Sequence, residues 1–348
     1  MKKVIKTGIF SYGMSGMVFH APLLHTHPNF EIKKILQRNS DSSKEKYPYV
    51  EIAKNRKDLL DDPEIELIIV NTPDDTHYAF TRESLEANKH VVVEKPFTLT
   101  VDEGVKLIDL AKKKKRMLSV FQNRRWDGDF LTVKKVIEEK LLGRLVEYES
   151  HFDRYRNYIK DNWKEDPDCK SGTLYNLGSH TIDQALVLFG MPKSVNADIR
   201  MLRAGARVDD SFDIRLEYPG PKVTIRGGYL VREQGPRYIL HGTEGSFLKS
   251  GTDPQEECLT QGQFPDEPGW GTEPANNWGI INTTVNGLHF RGKIETLPGA
   301  YSEYYSNIYD VLASGRELIV KPEESLNVIK IIQAAYESNK LKRSIELT

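Results

Sequence analysis

Over the first ~120 residues, short apolar runs alternate with amphipathic stretches, the pattern of a parallel sheet covered by helices. Strand-like runs span Lys3 to Phe10, Phe30 to Gln37, Ile65 to Thr72, His90 to Glu94 and Met117 to Gln122. Between them the spacing predicts helices over Gly16 to Leu24, Asn55 to Leu60, Thr76 to Ala87 and Val101 to Lys114, each short enough for a βαβ crossover. A helix from about Asp129 to Leu142, stopped by Gly143, leads into a region of different character. There, Leu145 to Phe152, Ser194 to Arg203, Ser211 to Tyr218, Lys222 to Tyr229, Tyr238 to His241 and Gly245 to Lys249 read as consecutive strands. Turns such as Pro219-Gly220-Pro221 separate them, which favours a largely antiparallel sheet. From Gly251 to Gly299 the chain is rich in Gly, Pro, Asn, Asp and Glu, and its lack of periodicity predicts a long loop. Two helices, Tyr301 to Ser314 and Pro322 to Asn339, close the chain, with Gly315 as the stop signal between them.

The 348 residues exceed one typical core, and the change of pattern divides them into two expected domains, 1–122 and 123–348. At 39% hydrophobic and 28% charged, the composition is that of a globular protein. Forty-nine Lys and Arg against fifty Asp and Glu leave a net charge of -1, so no global field draws nucleic acid or anionic lipid. The run Lys112 to Arg116 follows a helical pattern without interleaved aromatics and reads as a solvated helix end. Cys169 and Cys258 stand far apart, which excludes a disulfide framework and points to a reducing, cytoplasmic setting. No signal peptide is expected at the start, and no apolar run approaches the ~20 residues of a membrane span. His20, His25 and His27 lack a carboxylate or cysteine at ligand spacing, so no metal site is expected.

The first strand leads into Ser11-Tyr12-Gly13-Met14-Ser15-Gly16, a G-x-G-x-x-G pattern with serine in the first position. At a strand-to-helix junction, Gly13 lets backbone approach a pyrophosphate, Gly16 permits close packing, and the helix N-terminus supplies amide donors. Past strand two the chain reads Gln37-Arg38-Asn39-Ser40 with no carboxylate to meet a ribose 2'-hydroxyl. Arg38 suits a 2'-phosphate and Ser40 adds a hydroxyl, so NADP is expected over NAD. Val91-Val92-Val93-Glu94-Lys95-Pro96 ends a strand on a lysine confined by proline, at the edge where ligands collect in open α/β sheets. On the helix beginning near Tyr175, Asn176, His180 and Asp183 lie at i, i+4 and i+7, so one face presents an amide, an imidazole and a carboxylate. A lone helix histidine is more often structural, and Ser179, His180 and Asp183 do not form a hydrolase triad, because adjacent helix residues do not face each other.

Together, the Gly13 and Gly16 loop, Asn71-Thr72-Pro73 with His77, Glu94-Lys95-Pro96, Gln122 to Trp126, and Gly178 to Asp183 resemble the Gfo/Idh/MocA oxidoreductases, in order over essentially the whole chain. The resemblance implies an α/β protein: an N-terminal Rossmann domain, and a C-terminal α+β domain for substrate binding and oligomerisation with a large, open, mostly antiparallel sheet. It implies NAD(P)-dependent oxidation or reduction of a sugar, a cyclitol such as an inositol, or a related polyol. Lys95 matches the family lysine, often taken to follow a cis peptide bond, and His180 matches the histidine beside the substrate carbinol. Asn71, Thr72, Pro73, His77, Glu94, Asn123, Arg124 and the pair Trp163-Lys164 are implied cofactor contacts. Tyr155, Arg156, Tyr158, Tyr175 and Asp183 are candidates to line the polyol pocket. Where most active members carry aspartate, this chain has Asn176, which orients an imidazole but lends it no charge. Either Lys95 carries the proton transfer, with Asp183 a possible source of the missing charge, or the fold serves as a catalytically silent sensor. The open sheet face is expected to be covered in a homodimer or homotetramer.

Overall fold

A computed structural model describes residues 3–160, 165–169 and 172–347. The chain forms two compact units that interleave in sequence: Met1–Asn123, Gln255–Trp270 and Ala300–Leu326 form the first, and Arg124–Pro254, Gly271–Gly299 and Asn327–Thr348 the second.

The first unit holds strands β1 (Ile5–Ile9), β2 (Phe30–Leu36), β3 (Glu51–Ala53), β4 (Leu67–Val70), β5 (His90–Val93) and β6 (Leu118–Val120). All pair in parallel, in the order β3-β2-β1-β4-β5-β6. Leu67, Ile68, Ile69 and Val70 are fully buried, as are Val91 to Val93, because a parallel strand covered on both faces needs unbroken apolar sequence. The strand order reverses between β1 and β4, and the loops leaving these two strands therefore border the crevice where a nucleotide binds in such sheets. The helix Val101–Lys114 has the predicted bounds. Thr100 and Glu103 form a reciprocal capping box at its start, and Lys115 ends it in left-handed geometry at φ 53. Lys112 pairs with Glu323 at 2.9 Å, and Lys112 and Lys113 are exposed.

The second unit carries β7 (Leu145–Asp153), β8 (Ser194–Arg200), β9 (Ser211–Glu217), β10 (Lys222–Gly228), β11 (Tyr238–Gly242), β12 (Gly245–Lys249), β13 (Gly279–Val285), β14 (Leu288–Ile294) and β15 (Ile345–Glu346). Their order is β14-β13-β12-β11-β7-β10-β9-β8-β15, antiparallel except where β10 runs parallel to β7. In β9, Phe212, Ile214 and Leu216 point inward while Arg215 and Glu217 face out, the alternation of a sheet with one covered face. The helix Ser179–Phe189 packs on β7 and β10.

Several elements depart from the sequence expectation. β3, β15 and a helical turn at Ser43–Lys46 are too short to leave a periodic signal. The helix expected to reach Leu142 spans Gly128–Glu138, and Lys140, at φ 53, follows its end. The stretch 251–299 is not an irregular loop. It contains a helix at Gln255–Thr260 and the β13–β14 hairpin, which turns on Asn286 and Gly287 at φ 51 and 81. Asn-Gly between apolar flanks is a strong hairpin signal because both turn positions need positive φ. Among the described residues, no helix is long and apolar enough to cross a membrane.

Candidate active site

The loop leaving β1 is clamped by one side chain. Asn71 at the end of β4 accepts from the Ser11 N–H (3.0 Å) and donates to the Ser11 carbonyl (2.8 Å), while Ser11 Oγ accepts from the Gly13 N–H (3.1 Å). A Cβ on Gly16 would lie 2.1 Å from the Ser11 carbonyl, so glycine is obligatory there. At Gly13 the nearest atom would be 3.4 Å away, so the surrounding protein does not require glycine. Bare, exposed backbone at Gly13 is what a pyrophosphate needs, and the residues fit a dinucleotide in that respect. Tyr12 and Ser15 are half-buried and Met14 is exposed. The helix that follows opens with a π-helical turn, Gly16–His20. Asn71 therefore shapes this loop, a role that sequence spacing alone did not assign.

Beyond β2, Arg38, Asn39 and Ser40 are exposed on a loop organised by the buried Gln37. Its Nε2 donates to the hydroxyls of Ser40 (2.7 Å) and Ser42 (3.0 Å), and its Oε1 accepts from the Ser43 N–H (3.2 Å) and from the Ser43 hydroxyl. Sequence reasoning passed over Gln37, whose importance lies in partners three to six residues away.

At the end of β5, Lys95 is half-buried. The cis peptide bond lies between Lys95 and Pro96, so it follows the lysine instead of preceding it. His77 is fully buried, with Nδ1 2.7 Å from the Pro96 carbonyl and Nε2 3.0 Å from that of Thr72. With both nitrogens occupied, His77 ties the loop after β4 to the loop after β5 and has no ring nitrogen left to offer a cofactor. Thr72 is half-buried and Pro73 exposed, and the Thr72 and Thr76 hydroxyls meet at 2.5 Å. Glu94 turns inward: its Oε2 accepts from the Lys95 N–H at 3.0 Å, and its Oε1 lies 3.1 Å from Nε2 of His20. Asn123 is buried at the edge of this unit.

In the second unit, Leu174–Gly178 is a π-helical turn that runs into the helix Ser179–Phe189. The carboxylate of Asp209 caps its start, accepting from the Leu174 N–H (2.8 Å) and from the Tyr336 hydroxyl (2.5 Å). Burial raises the pKa of Asp209 despite these bonds. His180 is buried 6.4 Å, ring to ring, from Phe152, over which the guanidiniums of Arg124, Arg154 and Arg237 also lie. Asn176 is half-buried in the π-helical turn, so the uninterrupted α-helical face expected for Asn176, His180 and Asp183 is not what forms. Asp183 is committed elsewhere. It takes both Nε (2.8 Å) and Nη2 (2.7 Å) of Arg125 in a buried bidentate pair. Arg124 bonds Asp127 at 3.2 Å.

The remaining pocket candidates divide by exposure. Tyr175 is buried and stacked on Tyr336, with centroids 5.9 Å apart. Tyr155 and Tyr158 are exposed, the first beneath the Arg232 guanidinium at 4.3 Å. Arg156 lies over the Tyr229 ring at 5.5 Å. Arg203, unremarked in the sequence, is buried between Asp210 (3.0 Å) and Glu165 (2.9 Å) and donates to the Tyr158 carbonyl (2.8 Å), anchoring the segment on which Tyr158 lies. Trp163 and Lys164 lie outside the described residues.

Comparison with known proteins places this geometry. The oxidoreductase-family model for the NAD-binding Rossmann fold matches residues 5–122, and the oxidoreductase-family model for the C-terminal alpha/beta domain matches residues 134–347. The scyllo-inositol 2-dehydrogenase (NADP(+)) IolW of Bacillus subtilis (strain 168) is 43% identical over 346 residues, covering 99% of this chain and 96% of that protein. A solved structure from Bacteroides fragilis NCTC 9343 shares 50% identity at a TM-score of 0.93, over 99% of this chain and 100% of that one. The structure of yvaA from Bacillus subtilis shares 41% identity at a TM-score of 0.95, over 99% and 100% of the two chains.

Proposed function

We propose, from the premise that this chain belongs to the Gfo/Idh/MocA oxidoreductase family, that it is a dehydrogenase or reductase of a cyclitol or sugar carbinol, using NADP in preference to NAD. Residues 1–122 serve as the coenzyme domain and 123–348 as the substrate-binding and oligomerisation domain, in a cytoplasmic homodimer or homotetramer. The observation that carries the reading is the half-buried Lys95 at the carboxyl end of β5. It is fixed from behind by Glu94 and His77, in the same unit as the Asn71-clamped glycine loop. The 43% identity to an inositol dehydrogenase that uses NADP(+) favours an inositol-like substrate.

When bound, the nicotinamide supplies the hydride acceptor or donor. The chain supplies position and one proton site. The N–H groups of Ser11 and Gly13 are taken within the protein, so Met14 to Gly16 would present backbone donors to the pyrophosphate, and Arg38 with Ser40 would meet the 2'-phosphate. In oxidation Lys95 takes the hydroxyl proton and in reduction returns it, and His180 is the imidazole that family resemblance assigns to the substrate carbinol. Asn176, uncharged, leaves the lysine as the stronger candidate for that proton.

A panel of inositols and sugars with NADP, followed at the nicotinamide absorbance, tests the reading. Turnover is expected, and Lys95→Met should lower it about 10²- to 10⁴-fold with NADPH binding retained. Unchanged turnover removes the assignment of Lys95. A wild-type chain that binds NADPH and converts nothing on the panel is instead the silent sensor that Asn176 raises.

A further inference from the structure

Within the first unit, a single hydrogen-bonded chain runs from the Lys95 peptide into the core. Lys95 N–H donates to Glu94 Oε2 (3.0 Å), Glu94 Oε1 lies 3.1 Å from His20 Nε2, and His20 Nδ1 lies 2.7 Å from the hydroxyl of Tyr305. His20 and Tyr305 are fully buried and Glu94 is 9% exposed. An ionised carboxylate only accepts, so Nε2 carries the ring proton, and Nδ1 of that tautomer accepts from Tyr305. Burial pushes the Tyr305 hydroxyl well above the ordinary tyrosine range, and this donor keeps its proton. Every group along the chain then has a partner.

The charge on Glu94 is not needed to build the sheet. Glu94 already completes the ladder through its backbone N–H to the Val70 carbonyl at 2.9 Å, and burying a carboxylate is costly unless it is paired. Burial opposes ionisation of Glu94, yet His20, Lys95 and His77 together outweigh it and hold its pKa below the ordinary value. Among the described residues these three act on Glu94, from the first helix, its own strand end and the helix after β4. Tyr305 of the helix Ser302–Ser314 stands one bond further out, with the Tyr304 ring against it at 5.4 Å between centroids.

We propose that His20 and Tyr305 are positioning residues for proton transfer at Lys95: they hold Glu94 as a fixed, buried anion that clamps the Lys95 peptide and biases its side chain toward the ammonium form. The use made of the lysine rests on the dehydrogenase reading. The relay itself does not.

Two readouts test it on the full chain. One is the NMR titration of ¹³C-dimethylated Lys95, its signal identified by loss in Lys95→Arg. The other is the pH profile of kcat for polyol oxidation. Glu94→Gln keeps the shape and removes the charge, so the Lys95 midpoint and the matching limb of kcat should both move to lower pH. Tyr305→Phe should move them the same way by a smaller step. His20→Ala, which releases the carboxylate, should also lower the kcat plateau by about 10-fold or more. A purely structural role moves neither midpoint. Midpoints equal to wild type in Glu94→Gln and Tyr305→Phe overturn the proposal, and Tyr305→Phe, which deletes one oxygen, decides alone if Glu94→Gln does not fold. A wild type inactive on every polyol removes the dehydrogenase reading, and the titration still decides the relay.

Discussion

Arg38 is the residue on which coenzyme choice turns. It is exposed on a loop that Gln37 holds through three serines, so a guanidinium is presented where a 2'-phosphate is expected. Charge-assisted bonds of this kind are worth about 1.5–3 kcal/mol, and Arg38→Ala should therefore lower the ratio of NADP to NAD affinity by roughly 10- to 100-fold. Calorimetric titration with both coenzymes gives that ratio; an unchanged value removes the assignment. As placements beside strand ends, Lys95, Gly13, Gly16 and Arg38 were legible, because each place follows directly from the local pattern. His77, Glu94 and Asp183 were not. Each carries a functional-looking group, and each is turned to a backbone carbonyl, a buried imidazole or an arginine that no local spacing reveals.

β5 illustrates how an element couples sequence to stability. His90 opens the strand, and its Nδ1 accepts the Met117 N–H at 2.9 Å, a bond available only while that nitrogen is unprotonated. Burial first, and then the neighbouring Arg116 and Lys3 cations, lower its pKa from 6.5 to about 4. A depressed folded-state pKa contributes stability that is complete above about pH 6.5 and is lost as the pH falls toward 4. The loss should be on the order of 1–3 kcal/mol. Urea unfolding at pH 7 and pH 5 should show a smaller drop in His90→Asn than in wild type; equal drops remove the claim. The central strands and the helix Val101–Lys114 were readable because burial on two faces and a capping box are written in consecutive residues. The β13–β14 hairpin, which the reading of 251–299 as a loop missed, left one signal in Asn286-Gly287, and its strands lie in a stretch dominated by turn-forming residues. The π-helical turns at Gly16–His20 and Leu174–Gly178 have no comparable signal, since a widened turn answers to packing around it.

For the whole molecule, the outer face of the second sheet is charged, with Glu147, Glu149, Arg215, Glu217, Lys222 and Arg226 around a concavity. If this face joins two copies, ion pairing contributes to the contact and salt weakens it. Light scattering after gel filtration should give at least twice the 39.8 kDa chain mass at low ionic strength; a monomer at micromolar concentration removes the assembly. Interleaving of the two units was beyond sequence reading. Residues 255–270 and 300–326 come late in the chain and group with the first unit, where Tyr304 and Tyr305 pack on Phe121 with centroids 4.9 and 6.0 Å away. Residue order was enough for the alternation of strand and helix, the glycine loop, the lysine at a strand end and the antiparallel second half. Each of these follows from local periodicity, backbone freedom or side-chain chemistry. The folded chain alone reveals which carboxylates meet arginine or histidine, that Asn71 clamps the loop after β1, and that Tyr305 reaches His20 from 285 residues away. Those facts depend on long-range neighbours, and a neighbour distant in sequence exists only once the chain has folded.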